Sequence, residues 1–145
     1  MPTLKEELIT KLSNKELDLV PKSFDVVGDI AIFSKFPEEL KRHERLIAET
    51  LMNLNKHIKV VAKKTKAYSG RLRTPKLKII AGENRKETIH KENGVTLKLD
   101  IEKCYFSPRL GNERLRIARL IKKNEKVLVL FSGVAPYSCV ISKNS

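Results

Sequence analysis

Val127–Ser138 reads VLVLFSGVAPYS: an apolar run, a loop of small residues, and Pro136 at the head of a helical segment. In that order a Rossmann-like fold leads a buried strand into a turn whose backbone N–H groups approach an adenosine-containing cofactor. Lys126–Phe131 is therefore expected as a short buried strand and Pro136–Lys143 as a helix. Gly133 is the only glycine of the loop, and Ala135 stands where a second would be usual. On their own, these residues read as a buried strand and a tight turn.

Upstream of this stretch, Leu115, Ala118 and Ile121 fall on one face of a helix whose other positions are mainly Arg and Lys. The helical period begins after Ser107-Pro108. Before it, KETIHKENGVTLKLD (Lys86–Asp100) places two alternating segments around Asn93-Gly94, the dipeptide favoured in a type I′ hairpin because both residues tolerate positive φ. Strands are expected at Leu77–Glu83 and His57–Ala62, with TKAYSGRLRTP (Thr65–Pro75) as a polar loop between them. Pro37 suits the first turn of a helix whose apolar stripe is Leu40, Ile47, Leu51 and Leu54. Ser23–Phe33 reads as strand with a turn or bulge at Gly28-Asp29, and Leu4, Leu8 and Leu12 share one face of an opening helix, followed by a second helical turn over Ser13–Val20.

The succession predicts an α+β domain over residues 1–100, a connector and helix over 101–125, and over 126–145 the first strand and loop of a Rossmann-like α/β domain. One strand and one helix cannot cover a parallel sheet, so that second domain is expected to be truncated.

Lys and Arg number 30 against 17 Asp and Glu, a formal charge of +13, which points to a polyanionic partner. No 18-residue apolar run or amphipathic anchor is present, which favours nucleic acid over a membrane surface. MPTLKEELITKL at the N-terminus carries acids and lacks the apolar core of a signal peptide, so a cytoplasmic protein is expected. Cys104 and Cys139 stand apart, as do His43, His57 and His90, so no metal site is expected.

Two basic clusters could contact phosphate. Lys56, Lys59, Lys63, Lys64, Lys66, Arg71, Arg73, Lys76 and Lys78 make nine cations in a stretch without an acid, and Tyr68 offers a surface for base stacking. A solvated strand and loop with no specific partner is the other reading of such a charge run. Arg109, Arg114, Arg116, Arg119, Lys122 and Lys123 form the second cluster, around Glu113. Neighbouring positive charge would keep the Glu113 carboxylate ionised as a base, while the spacing equally suits an intrahelical ion pair with Arg116 or Arg119.

SFDVVGDIAIF, SGRLRTPKLKIIAGE, ETIHKENGVTLKLD, CYFSPRLGNER and VLVLFSGVAPY, in this order, resemble the archaeal and eukaryotic tRNA guanine-N1 methyltransferases that act beside the anticodon. IHKENG followed by YFSPRL and then the FSGV loop is the specific combination, and the likeness runs from about Ser23 to the end. The resemblance implies an RNA-contacting α+β domain ahead of a class I methyltransferase domain. It implies methyl transfer from S-adenosyl-L-methionine to N1 of the guanine 3′ to the anticodon, with tRNA, chiefly its anticodon arm, as partner.

By the same resemblance, Arg73 in RLRTP stabilises charge at the guanine and Glu113 is the general base. Tyr105, Arg109 and Arg114 shape the cofactor and target-base pocket, and Phe131, Ser132, Gly133 and Val134 form the first cofactor loop. Val129 replaces the acidic residue usual at the end of that strand, and Ala135 replaces a glycine. The ribose-holding acid and the N-P-P motif of the family lie beyond Ser145, and its additional N-terminal domain is not matched. The chain is therefore expected to be an inactive fragment on its own. A non-catalytic RNA-binding module and the related wybutosine-pathway aminocarboxypropyl transferase are the alternative readings, and YFSPRLGNER favours the methyltransferase.

Overall fold

A computed structural model describes residues 2–69 and 73–145, with side chains described for all of these but 66–69. Two short helices open the chain, α1 (Leu4–Leu8) and α2 (Asn14–Leu19). Thr3 and Ser13 cap them, each exchanging hydrogen bonds with the glutamate three residues on, Glu6 or Glu16, which satisfies N–H groups that a helix start leaves open. Leu8, Leu12 and Leu17 are buried beneath them.

The main sheet has four strands in the order β1 (Asp25–Val27), β2 (Ile30–Phe33), β3 (Val60–Ser69) and β4 (Thr74–Gly82). Strands β1 and β2 pair antiparallel around Gly28-Asp29, so the break seen in the sequence is the turn of a hairpin. Strand β2 pairs parallel with β3, and this crossover carries a 3-10 turn (Glu38–His43) and α3 (Glu44–Leu54). All four residues of β2 are buried, as expected of a strand covered on both faces. On one face Phe33 and Val61 pack with Leu40, Ile47 and Leu51 of the crossover and with α1 and α2.

A second hairpin, β5 (Glu87–Glu92) and β6 (Val95–Asp100), covers the other face. Its inward residues Leu97 and Leu99 join Val27, Ile30, Ile32, Val60 and Leu77 in a second core cluster. Asn93 and Gly94 at its turn have φ of 46° and 78°, the backbone that the Asn-Gly pair foretells. The chain then passes through a 3-10 turn at Pro108–Leu110 into α4 (Gly111–Leu120), which packs on α5 (Pro136–Asn144) through Ala118, Val140 and Ile141.

Two expectations are corrected. Thr65–Pro75 is not simply a loop, because β3 runs to Ser69 and β4 begins at Thr74; alternating polar residues satisfy a hairpin arm as well as they do a loop. Lys126–Phe131 forms no strand and is not buried. Leu128 is 84% exposed and Phe131 fully so. A strand exists only where a neighbour takes up its N–H and C=O groups, and among the described residues no strand lies beside this segment.

Candidate active site

Beyond β6 the chain turns tightly. Cys104 N–H donates to Asp100 O (3.2 Å) and Glu102 N–H to Asp100 Oδ1 (2.9 Å). Glu102 Oε1 in turn accepts from Leu77 N–H of β4 at 2.6 Å. Tyr105 is thereby placed beside the end of the β3–β4 hairpin. The segment Phe131–Ala135 returns to the same place: Phe131, Gly133 and Ala135 have φ of 55°, 57° and 60°, and Ala135 N–H closes the turn on Ser132 O at 2.7 Å. A Cβ on Gly133 would stand 3.2 Å from Tyr105 O, so the loop lies against the Tyr105 backbone where a side chain would crowd it.

Between these pieces lies a cavity of about 570 Å³ lined by Arg73, Lys103, Cys104, Tyr105, Phe131, Ser132 and Gly133. Five of these, Arg73, Tyr105, Phe131, Ser132 and Gly133, are residues that the sequence singled out. They come from the turn residue just before β4, the connector and the loop before α5, far apart in the chain. A smaller cavity of about 130 Å³ adjoins it and shares Tyr105, Phe131 and Ser132, with Arg114, Val129 and Tyr137 on its other side. Sequence reasoning missed Lys103 and Cys104; burial raises the Cys104 thiol pKa, with Asp100 adding to the effect.

The remaining candidates fall outside the larger cavity. Arg114 is 1% exposed, and its guanidinium is held by Glu92 on β5, with a further bond to Ser107 O (3.1 Å). It backs the smaller cavity as a buried, fully engaged group. Arg109 Nε donates to Asp25 Oδ1 at 2.6 Å, tying the connector to β1. Val134 packs into the second core cluster. Glu113 is half-buried on the first turn of α4 and forms the ion pair that its spacing allows, accepting from Arg116 at 2.7 and 2.8 Å. Arg116 lowers the Glu113 pKa, so the carboxylate is ionised at neutral pH.

The basic stretch is less uniform than its sequence. Lys56, Lys59, Lys76 and Arg73 are exposed, and Lys64 is half-buried. Lys63 is only 8% exposed and turned onto Glu44 (2.7 Å), with Lys78 on the other oxygen of the same carboxylate (2.5 Å). Lys63 is thus withdrawn from the phosphate-contacting set, and Lys78 is engaged, because the crossover helix brings to the block the acid that its own sequence lacks. The side chains of Lys66, Tyr68 and Arg71 lie outside the described residues. Among the described residues no group of three or more His, Cys, Asp or Glu could hold a metal ion, and no helix is long and apolar enough to cross a membrane.

Residues 4–85 match the family model described as the TYW2 N-terminal domain, and residues 88–145 match the TRM5/TYW2 methyltransferase domain. The chain belongs to the TRM5/TYW2 family. Among its TRM5/TYW2 relatives is a protein of Pyrococcus abyssi named tRNA (guanine(37)-N(1))-methyltransferase Trm5b, 44% identical over 126 residues, which span 87% of this chain and 38% of the relative. The Methanocaldococcus jannaschii protein of the same name is 42% identical over 141 residues, 96% of this chain and 41% of the relative. A solved structure described as the complex of aTrm5 and tRNALeu superposes with a TM-score of 0.84 at 37% identity, covering 98% of this chain and 43% of that one. The chain thus spans about two fifths of the length of the TRM5/TYW2 relatives it matches.

Proposed function

We propose that this chain is the tRNA-contacting domain and the leading cofactor-loop segment of an S-adenosyl-L-methionine-dependent tRNA (guanine-N1) methyltransferase. It acts in the cytoplasm on the guanine 3′ to the anticodon, gripping chiefly the anticodon arm. The single observation that carries this reading is the 570 Å³ cavity in which Arg73 of the basic domain meets Tyr105 and the Phe131–Gly133 loop. We divide the chain at about residues 100 and 125. Hairpin β5–β6 goes with the N-terminal sheet because Leu97 and Leu99 share a core with Ile30 and Ile32, although the match to the methyltransferase domain begins at residue 88.

The residues fit the cofactor as far as this chain builds its site. The loop backbone reaches Tyr105 without a side chain between them at Gly133, and Tyr105 and Phe131 give the cavity flat apolar walls. Phe131–Gly133 and Tyr105 would hold it, and when bound it supplies an electrophilic methyl group. Methylating N1 of guanine requires loss of the N1 proton, which places negative charge on O6. Arg73, exposed at the cavity, is the cation that meets that charge, and a fixed cation there stabilises the transition state more than the ground state. Glu113 is the base. Its pair with Arg116 keeps it ionised but also lowers its basicity, so accepting the proton is easiest when incoming RNA phosphate draws Arg116 away.

The test is a chimera that continues this chain after Ser145 with the remaining residues of the Pyrococcus abyssi relative. It is assayed on an unmodified tRNA transcript with labelled cofactor. N1-methylguanine 3′ to the anticodon is expected, and its loss when that guanine is replaced by adenine. An aminocarboxypropyl product, or methylation at another position, would replace the proposal with a different one.

A further inference from the structure

The IHKENG segment, Ile89–Gly94, contributes no residue to the larger cavity, yet its His90, Glu92 and Asn93 side chains each bond to another part of the chain. Gly28 N–H, in the β1–β2 turn, donates to His90 Nδ1 at 3.1 Å. An Nδ1 that accepts leaves the ring proton on Nε2, which faces Glu92 Oε2 at 3.3 Å. Glu92, 9% exposed, forms two bonds to Arg114, one of them 2.7 Å from Nη2 to Oε2. Arg114 then donates to Ser107 O and lies 5.0 Å from the Phe106 ring and 5.8 Å from the Tyr137 ring. The His90 ring meets the same Phe106 edge-on at 4.9 Å. At the hairpin tip, Asn93 Nδ2 donates to Gly111 O (2.8 Å) at the start of α4, and Asn93 O accepts from Asn144 of α5 (2.9 Å).

A continuous polar spine therefore runs from the turn of the N-terminal sheet, through β5, to the two flanks of the cavity. Phe106 and Ser107 directly follow Tyr105, and Tyr137 lies two residues after Ala135, the last residue of the turn Phe131–Ala135. We infer that His90, Glu92 and Asn93 are positioning residues that lock the cavity-forming loop to the N-terminal domain, with Arg114 as the far end of the lock. A buried arginine held by a buried carboxylate has one favourable geometry, because misaligning either partner leaves a charge unpaired in a poorly solvated site. His90 extends that constraint to Gly28. The loop cannot shift without disturbing the β1–β2 turn, so the N-terminal domain fixes the shape of the cavity. The consequence for methyl transfer rests on the function proposed above; the lock itself does not.

His90→Asn and His90→Gln separate the two contacts. Asparagine keeps an acceptor near the Nδ1 position and lacks the reach to Glu92, whereas glutamine keeps a donor for Glu92 and gives up Gly28. Glu92→Gln leaves Arg114 without its counter-charge and can fail to fold, so the histidine pair carries the test. Amide hydrogen exchange on the 145-residue chain is expected to rise about tenfold at Ser132–Ala135 and in α5 for both histidine variants, and to stay unchanged for the exposed control Lys91→Ala. In the chimera both histidine variants are expected to lower the single-turnover methylation rate about tenfold while leaving tRNA affinity within about twofold. Exchange that rises only around Gly28 and the hairpin, or a rate equal to that of the parent chimera, would overturn the inference. A parent chimera that methylates no tRNA would sink the proposed function, and the exchange result would still decide the lock.

Discussion

Lys63 Nζ lies 2.7 Å from Glu44 Oε2, so a buried cation of the basic stretch is matched by an acid from the helix that crosses over it. Lys78 completes the triad on Oε1. Burial tends to raise the Glu44 pKa, but the two ammonium groups outweigh it and hold the carboxyl below its usual range. Lys63→Ala is therefore expected to act on stability, by about 1–3 kcal/mol, because it strips a partly buried carboxylate of a partner. Lys59→Ala and Lys76→Ala, both exposed, are expected to leave the melting temperature unchanged. Each should reduce the salt dependence of tRNA binding by about one counterion. Thermal melts and a salt series on the three variants check this; a Lys63 variant that loses RNA affinity with unchanged stability contradicts it.

Arg73→Ala and Glu113→Ala in the chimera are expected to lower the single-turnover rate by roughly 100-fold or more, with tRNA affinity little changed. In the proposed mechanism the first removes the cation that meets developing charge and the second removes the base. Arg116→Ala distinguishes pairing from chemistry. It frees Glu113 from the partner that depresses its pKa, so the pH–rate profile should shift upward in pH while the rate on its plateau is retained.

The parts of this molecule that were readable in the sequence are those fixed by neighbours in the chain. Asn93-Gly94 dictated its own turn, and Pro37 marked the start of the crossover helix region. Arg73, Tyr105 and Phe131–Gly133 were identified as site residues by likeness, and their convergence in one cavity needed the fold. What could not be read was long-range pairing. Nothing near Lys63 announces Glu44, and nothing near Arg114 announces Glu92, the carboxylate that holds Arg114 buried at the wall of the smaller cavity. Within IHKENG, the histidine, glutamate and asparagine at hairpin spacing are the available signal for that ion pair. Val127–Phe131 failed in the opposite sense: β propensity was present, and neighbouring strands to realise it were not.

Low pH should loosen the N-terminal helices first. Glu16 accepts from Arg42 and from the Ser13 backbone and hydroxyl, and these bonds, Arg42 foremost, depress its pKa from 4.5 to about 2. A carboxyl depressed in the folded state stabilises the fold above its unfolded pKa and loses that contribution as pH falls through its folded one. Glu16→Gln is therefore expected to be less stable than the parent at neutral pH, with the gap closing between pH 4.5 and about 2. Urea melts across that range, followed by helical circular dichroism, test the sign; a gap that widens on acidification would be wrong for this pairing.

The 145 residues by themselves are expected to fold yet neither methylate guanine nor hold S-adenosyl-L-methionine tighter than about 1 mM. A Rossmann-like site gathers adenine, ribose and methionine contacts from several neighbouring strand ends, whereas here one loop and the Tyr105 segment supply the wall opposite Arg73. Phe131 is fully exposed at that wall, and Leu128 and Leu130 beside it are exposed as well, so the segment that should be a central strand contributes little to holding the cavity in shape. Leu128→Lys separates the two roles of this segment. In the isolated chain it should leave the melting temperature within a degree or two, since an exposed surface position rarely shifts stability by more than about 0.5 kcal/mol. In the chimera, if the proposed Rossmann-like domain makes this segment a buried strand, the same lysine should cost both stability and activity. Calorimetric titration with the cofactor, a methylation assay on unmodified transcript, and melts of Leu128→Lys in both contexts decide the matter. Micromolar cofactor binding with turnover by the 145-residue chain would show that copies of the chain complete the site among themselves, and a large destabilisation by Leu128→Lys in the same chain would identify the segment through which they do so.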